Sequence, residues 1–269
     1  MLESPITDQE FALFQRLIYK IAGISLSDAK KVLLVGRLQK RLRFHHLDTF
    51  SQYYRMLGSG QHPEELQTMV DLLTTNETYF FREPEHFEFL HQEILLKWRS
   101  ANPFRIWSAA SSTGEEPYTL AMVLAQNLPN NPWEVVGSDL STQVLEKARR
   151  GHYPMERNEG IPPKVLSKYC LKGVRAQAGS FLIAPALRDR VSFHHINLTL
   201  PIDKELGMFE VIFLRNVMIY FDMETKRKVV NNLLPHLHPG GHLIIGHSET
   251  LNGLNTGLTA IRPTIYRKP

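Results

Sequence analysis

The apolar positions of this chain follow two different rules. Up to residue 74 the spacing is helical. Thr7 with Glu10 three positions on forms a capping box, and Phe11, Phe14, Leu17, Ile18 and Ile21 continue from it along one helix face. Gly23 stops that helix. A second helix is predicted over 28–44, with Leu34, Leu38 and Leu42 on one stripe. Asp48 is expected to cap a third helix ending near Gly58, and Pro63 to open a fourth. The stretch "LLTTNETYFFREPEHFEFL" then leads into a further helix that ends before "SANP".

From Phe104 the rule changes. Short apolar runs alternate with helical patterns: "RIWSAA", a helix from Pro117, "WEVVGSD", "STQVLEKARRG", "VSFHHIN", "FEVIFLRN", "METKRKVVNNLLPHL", "GGHLIIGHSE" and a final "TAIRPTIYRKP". Strands alternating with helices predict an α/β domain built on a parallel, doubly wound sheet. Between 151 and 190 the alternation breaks, and strand-like pieces around Gly173 and Gly179 predict a small antiparallel insertion. No internal repeat or low-complexity tract is present.

Composition adds few constraints. The 269 residues suffice for one large domain or two modest ones, and 43% hydrophobic with 22% charged residues is ordinary for a globular protein. No apolar run approaches the ~18 residues of a membrane span. "MLESPITDQEF" is acidic and polar, without the apolar centre of a signal peptide. The single cysteine, Cys170, cannot form an internal disulfide, which fits a reducing cytoplasm and excludes a thiolate metal site. The 12 histidines show no ligand spacing, so no metal is expected. A net charge of +4 suits either nucleic acid or an acidic protein partner.

The most informative stretch is "RIWSAASSTGEEPYTLAM": a strand, a turn of small residues, and a helix start. It carries neither G-x-G-x-x-G nor the phosphate loop G-x-x-x-x-G-K-[ST]. In a doubly wound sheet the loop 109–116 falls at a strand's carboxyl end, where ligands bind. Small side chains there permit close backbone approach. Glu115 and Glu116 would repel a pyrophosphate but suit a ligand bearing positive charge and a free amine. The next strand ends in Asp139, placed to accept from both hydroxyls of a ribose. A nucleoside with a cationic tail and no phosphates is S-adenosylmethionine. Read singly, "SSTGEE" is also a common helix-opening turn, and Asp139 is also an N-cap for the helix starting at Ser141 and Thr142.

"WSAASSTGEEPYT", "LTTNETYFFRE", "GSDLSTQVLEKARRGHY", and "FLRNVMIYF" with "GHSE" together resemble the CheR chemotaxis-receptor methyltransferases, in that family's order and over nearly the whole chain. The resemblance implies a Rossmann-like S-adenosylmethionine-dependent methyltransferase fold with an all-helical N-terminal domain (1–74) for receptor docking. A linker and helix (75–103) follow, then a catalytic domain (104–269) with a small antiparallel β-subdomain inserted at 155–190. It implies methyl transfer from S-adenosylmethionine to glutamate side chains on the cytoplasmic helices of chemoreceptors, leaving S-adenosylhomocysteine. Asn76, Thr78 and Arg82 match the family's cofactor-contacting linker residues, Glu115 the acid near the methionine end, and Asp139 the ribose acid. Asn197, Leu198, Arg215 and Asn216 match residues that close over adenine and the sulfonium side. Arg82 and Tyr220 are the family's candidates for handling the substrate carboxylate. Read without the family, Asn197 is also a turn cap, Tyr220 a core aromatic, and Arg82 a partner for Glu83 or Glu85. Tyr79, Phe80 and Phe81 are expected to pack between the two domains.

The second helix holds Lys30, Lys31, Arg37, Lys40, Arg41 and Arg43 and no acid after Asp28. Its basic face, with Arg37, Lys40, Arg41 and Arg43, is expected to stay wet and to dock a Glu-rich receptor bundle. The same face also reads as a solvated basic helix or a nucleic-acid contact. Nucleic acid is not expected, because aromatic–basic interleaving of the RNP type is missing. The protein is expected to act as a cytoplasmic monomer that meets membranes only through receptors. With only Gly173 and Gly179 in its turns, the β-subdomain is expected to work without a tethering peptide, and no helical repeats are expected beyond Pro269. Two other functions fit part of the sequence: a methyltransferase acting on RNA or a small molecule, and a non-catalytic signalling adaptor.

Overall fold

The structure is a computed structural model and describes residues 6–269. Residues 1–5, part of the stretch from which no leader is expected, lie outside the described residues. The chain forms two compact units, one holding the chain up to Thr75 with Tyr220–Lys226, the other Asn76–Ile219 with Arg227–Pro269.

The first unit is built on α1 (Asp8–Ala22), α2 (Lys31–Phe44), α3 (Phe50–Gly58) and α4 (Pro63–Leu73). The Thr7–Glu10 capping box is formed, and Gly23 closes α1 in the left-handed conformation at φ 69°. Glu10 does more than cap. Its Oε1 accepts from the Ser51 amide and hydroxyl, each at 2.8 Å, and so fastens α1 to the start of α3. The cap of α3 is Thr49 rather than Asp48, because Thr49 and Gln52 complete a second capping box. A short tight turn, Asp28–Lys30, precedes α2, which therefore begins at Lys31 and not at Asp28.

Phe14, Ile18, Leu34, Leu38, Tyr53 and Met69 are fully buried in this unit, each contributing roughly 1.5–3 kcal/mol of transfer free energy. A polar cluster sits beside them. Glu65 accepts from the Tyr53 hydroxyl at 2.7 Å and from the Arg41 guanidinium, and His45 Nε2 lies 2.9 Å from it. Burial raises the Glu65 carboxyl, but the Arg41, Tyr53 and His45 hydrogen bonds outweigh it and pull the group down to about 2. The returning segment pairs Phe221 with Ile24, and the Ser25 amide donates to the Tyr220 carbonyl at 2.9 Å. The Tyr19 hydroxyl donates to Asp222 at 2.8 Å.

After Asn76 the order is α5 (Glu85–Phe89), β1 (Phe104–Ser108), α6 (Glu115–Asn127), β2 (Trp133–Asp139), α7 (Thr142–Arg150), β3 (His152–Pro154), α8 (Pro163–Tyr169), β4 (Cys170–Lys172), β5 (Ser180–Ile183), α9 (Pro185–Arg188), β6 (Val191–His195), β7 (Phe209–Leu214), α10 (Met223–Leu233), β8 (Leu237–Ile245), β9 (Thr259–Arg262) and β10 (Ile265–Arg267). The main sheet runs β6-β2-β1-β7-β8-β10-β9. β6, β2, β1, β7 and β8 are parallel, as the strand–helix alternation requires. β10 is antiparallel to both β8 and β9, so the sheet is mixed. Two residues join β9 to β10, and so short a connection permits only a hairpin. Phe104, Ile106, Trp107, Val135, Val211 and Phe213 form the buried centre of the sheet.

The small sheet has the order β3-β5-β4 and is wholly antiparallel. The 155–190 segment supplies β4 and β5, and β3 lies just upstream of it. Among the described residues no helix is long and apolar enough to cross a membrane.

Candidate cofactor site at the strand ends

The chain leaves β1 to build β2 and β6 on one side, then returns to build β7 and β8 on the other. The switch point therefore lies between β1 and β7, and the loops at their carboxyl ends border the ligand position of a doubly wound sheet. The β1 loop is woven into its neighbours. The Ala109 amide donates to Phe213 O at 2.8 Å and the Ser111 amide to Ser138 O at 2.8 Å. Trp107 Nε1 donates to Ser138 Oγ at 2.9 Å, and that hydroxyl donates on to Ala109 O at 3.0 Å.

Gly114, at φ 97°, is the cap residue before α6. A Cβ there would come within 2.8 Å of the Tyr153 hydroxyl and 2.9 Å of Ala148 Cβ, so both conformation and space require glycine. The helix starts at Glu115 rather than at Pro117, which puts both glutamates in the first turn, where the helix dipole favours negative charge.

Glu115 is 1% exposed. Its carboxylate accepts from the Thr113 hydroxyl at 2.6 Å, and Arg157 Nη1 stands 3.5 Å away. Burial pushes its pKa up, against the Thr113 hydrogen bond and the Arg157 charge. Glu116 has a different task from the one the sequence suggested. It accepts from Ser108 Oγ at 2.7 Å and from Arg215 Nη1 at 2.8 Å, so it is consumed inside the protein.

Asp139, the last residue of β2, accepts the Ser112 amide on Oδ2 and the Ser141 amide on Oδ1, both at 2.9 Å. Ser112 reaches it from the left-handed region, at φ 47°. The cap of α7 is Ser141, whose hydroxyl accepts from the Val144 amide, so Asp139 is not that helix's cap residue. Asn76 joins the same corner, its carbonyl accepting from Ser112 Oγ at 3.0 Å. The Thr78 carbonyl accepts from Arg157 Nη1 at 2.8 Å.

Arg82 donates to the Glu77 carbonyl at 2.9 Å and stands 5.6 Å over the Tyr79 ring, rather than pairing with Glu83 or Glu85. Arg215 is buried between Glu116 and Glu83, 3.0 Å from the latter, and also donates to the Arg82 carbonyl. Asn216, at φ 57°, donates its side-chain amide to Glu83 at 3.1 Å. Its backbone amide joins those of Met218 and Gly246 in donating to Glu249, at 2.7–2.9 Å. Asn197 Oδ1 accepts from the Thr199 amide at 3.0 Å and hydroxyl at 2.7 Å, the turn-capping arrangement. Leu198 is buried, and its carbonyl accepts from Asn232. Tyr220 ends the short turn Met218–Tyr220 and groups with the helical unit.

The aromatic trio is corrected. Phe80 packs on Tyr153 and Phe181, at 5.1 and 5.8 Å, and Phe81 packs on Phe87 at 5.7 Å, all inside the catalytic unit. Tyr79 is 48% exposed.

These residues suit S-adenosylmethionine. A carboxylate that burial has raised gains by meeting an ammonium, Asp139 is held at the end of β2, and the Ser111 hydroxyl is buried in the same loop without a protein partner. A doubly wound sheet with an acid in the first turn of α6, another at the end of β2 and no phosphate loop is the arrangement of an S-adenosylmethionine-dependent methyltransferase.

Comparison with known proteins narrows this. Residues 76–266 match the family described as CheR methyltransferase, SAM binding domain, and residues 9–74 match CheR methyltransferase, all-alpha domain. The chain belongs to the CheR methyltransferase family. It is 40% identical over 263 residues to the chemotaxis protein methyltransferase of Escherichia coli K12, covering 97% of this chain and 91% of that one. The Salmonella typhimurium protein of the same name is 39% identical over 263 residues, covering 97% and 90%. Chemotaxis protein methyltransferase 2 of Pseudomonas aeruginosa is 38% identical over 262 residues, covering 97% and 93%.

Sequence reasoning named Glu115, Arg215 and Asn216 but not the groups that engage them. Glu83, Glu249 and Arg157 are absent from the expected set. Glu83 and Glu249 lie inside the quoted motifs "LTTNETYFFRE" and "GHSE", and Arg157 carries no local signal.

Proposed function

We propose that this protein methylates the side-chain carboxylate of glutamates on the cytoplasmic helical bundle of chemoreceptors, giving methyl esters. The observation that carries this reading is the match to both CheR domains together with Glu115 at the start of α6 and Asp139 at the end of β2. When bound, S-adenosylmethionine supplies an electrophilic methyl on a sulfonium. Asp139 would hold its ribose and Glu115 its ammonium, while Asn76, Thr78, Asn197, Leu198, Arg215 and Asn216 border it.

The nucleophile needs no general base, since a glutamate with a pKa of about 4.3 is already ionised at neutral pH. The charges of carboxylate and sulfonium cancel as they approach, so a site that gripped both ions firmly would stabilise the ground state and slow the step. Positioning and removal of water are what remain for the protein to do, and proximity alone supplies roughly 7–11 kcal/mol. Arg82 would orient the carboxylate and Tyr220 would hydrogen-bond one oxygen. Lys40 and Arg43, exposed on α2, would attract the acidic receptor surface. The protein would act in the cytoplasm as a monomer, meeting the membrane only through its receptor.

The test uses tritiated S-adenosylmethionine with chemoreceptor-containing membranes. Label in the receptor band that mild alkali releases as volatile methanol is expected. Alkali-stable label, or label in another acceptor, would overturn the assignment of a glutamyl ester.

A further inference from the structure

Glu83, His86 and His247 lie together in the catalytic unit although Glu83 and His247 are 164 positions apart. One ligand atom from each falls within 4.8 Å of the others. Glu83 and His86 are three residues apart at the start of α5, with His86 Nδ1 3.4 Å from Glu83 Oε2. His247 stands at the solvent side, its ring centroid 4.8 Å from that of His86.

The ring of His86 is held at its far nitrogen by Thr264. Nε2 is 2.9 Å from Thr264 Oγ1, and that hydroxyl spends its single proton on the Pro263 carbonyl at 2.6 Å. With that hydroxyl turned to the Pro263 carbonyl, Thr264 accepts from Nε2, the tautomer that leaves Nδ1 with a lone pair. His86 is 2% exposed and Nδ1 has no hydrogen-bond partner. In that tautomer the buried lone pair lies 3.4 Å from Glu83 Oε2, an oxygen that also accepts from Arg215 Nη2 and the His247 amide. Two acceptors in that position are stabilised by a cation. A far N–H held by an acceptor is also how metal-bound histidines are oriented.

We infer that Glu83, His86 and His247 form a binding site for a divalent cation of the zinc class. Two imidazoles with one carboxylate suit zinc, nickel or copper, whereas magnesium and calcium prefer oxygen donors. His247, half exposed, gives the ion a way in and leaves a coordination position for water. Glu83 also holds the Arg215 guanidinium, at 3.0 Å from Oε2, and the Asn216 side chain, at 3.1 Å from Oε1. An ion on Glu83 competes with Arg215, so occupancy is coupled to the turn after β7 and is expected to reduce affinity for S-adenosylhomocysteine.

The test is calorimetry of the full-length protein with zinc chloride alone. One zinc site is expected, with no heat from magnesium at the same concentration. His247→Ala should weaken the site at least about tenfold while preserving the melting temperature, because the His247 backbone amide still donates to Glu83. Cobalt(II) provides a second measurement, its visible absorption changing on histidine ligation in the parent and not in the variant. Zinc bound equally well by the variant, or by neither protein, would overturn the inference.

Discussion

Arg215 Nη1 donates to Glu116 Oε2 at 2.8 Å, joining the end of β7 to the first turn of α6 with the guanidinium only 1% exposed. Burial pushes the Glu116 carboxyl up and the Arg215 charge opposes it. Arg215→Ala would strand that carboxylate in the interior. A loss of about 3–5 kcal/mol in urea unfolding is expected, as for other broken buried pairs. Arg215→Lys should cost less, since it keeps the charge but cannot serve Glu116, Glu83 and the Arg82 carbonyl together. A loss below about 1 kcal/mol in the alanine variant would show that the pair is not structurally important.

Glu65 should shape the acid limb of stability in the helical unit. Its folded carboxyl sits at about 2, below its ordinary 4.5. A depressed carboxyl contributes stability that is complete above the unfolded value and is lost as pH falls from about 4.5 to about 2, on the order of 2–3 kcal/mol in all. Urea midpoints measured across that range should fall less steeply in Glu65→Gln than in the parent. Equal slopes would remove Glu65 from the account.

Asp139 and Tyr220 should separate binding from turnover. Asp139→Ala removes the carboxylate proposed for the ribose, and S-adenosylhomocysteine affinity in calorimetry is expected to fall by about 10–100-fold, the loss of one or two charge-assisted hydrogen bonds. Tyr220→Phe should leave that affinity within about threefold and slow methyl transfer by roughly tenfold or more. A large affinity loss in Tyr220→Phe would contradict its role at the substrate carboxylate.

Two of the four basic residues expected on the wet face of α2 are engaged elsewhere. Arg41 is tied to Glu65, and Arg37 donates to the Thr74 carbonyl at 2.9 Å, so both act within the unit; Lys40 and Arg43 are exposed. Lys40→Glu with Arg43→Glu is expected to raise the apparent KM for receptor membranes with little change in kcat, and the difference should shrink with added salt, given screening over about 8 Å. Arg41→Glu should instead destabilise the unit by about 3–5 kcal/mol. Receptor kinetics unchanged by the Lys40 and Arg43 reversals would remove this docking face.

What was legible in the sequence was whatever the physics settles locally. Thr7 with Glu10 marked a helix start because a capping box closes within four residues, and Gly114 marked the loop before α6 because only glycine accepts that conformation and space. Asp48 was the wrong cap for α3 because two neighbouring residues each had the right side chain, and only Gln52 folding back onto Thr49 distinguished them. The final hairpin was hidden because a strand's apolar pattern does not state its direction.

The sequence by itself determined the alternation of elements, the acids in the turn after β1 and at the end of β2, and the family, since all of these are written in contiguous stretches. Only the tertiary structure decided how the charges are shared. Glu116 is spent on Arg215, Arg41 on Glu65 and Glu83 on Arg215 and Asn216, while Glu115 remains buried beside Arg157. A buried charge takes whichever partner the fold brings within hydrogen-bond distance, and that distance is independent of separation along the chain. The meeting of Glu83 and His86 with His247 has the same origin, because the ends of α5 and β8 become neighbours only when the sheet is assembled.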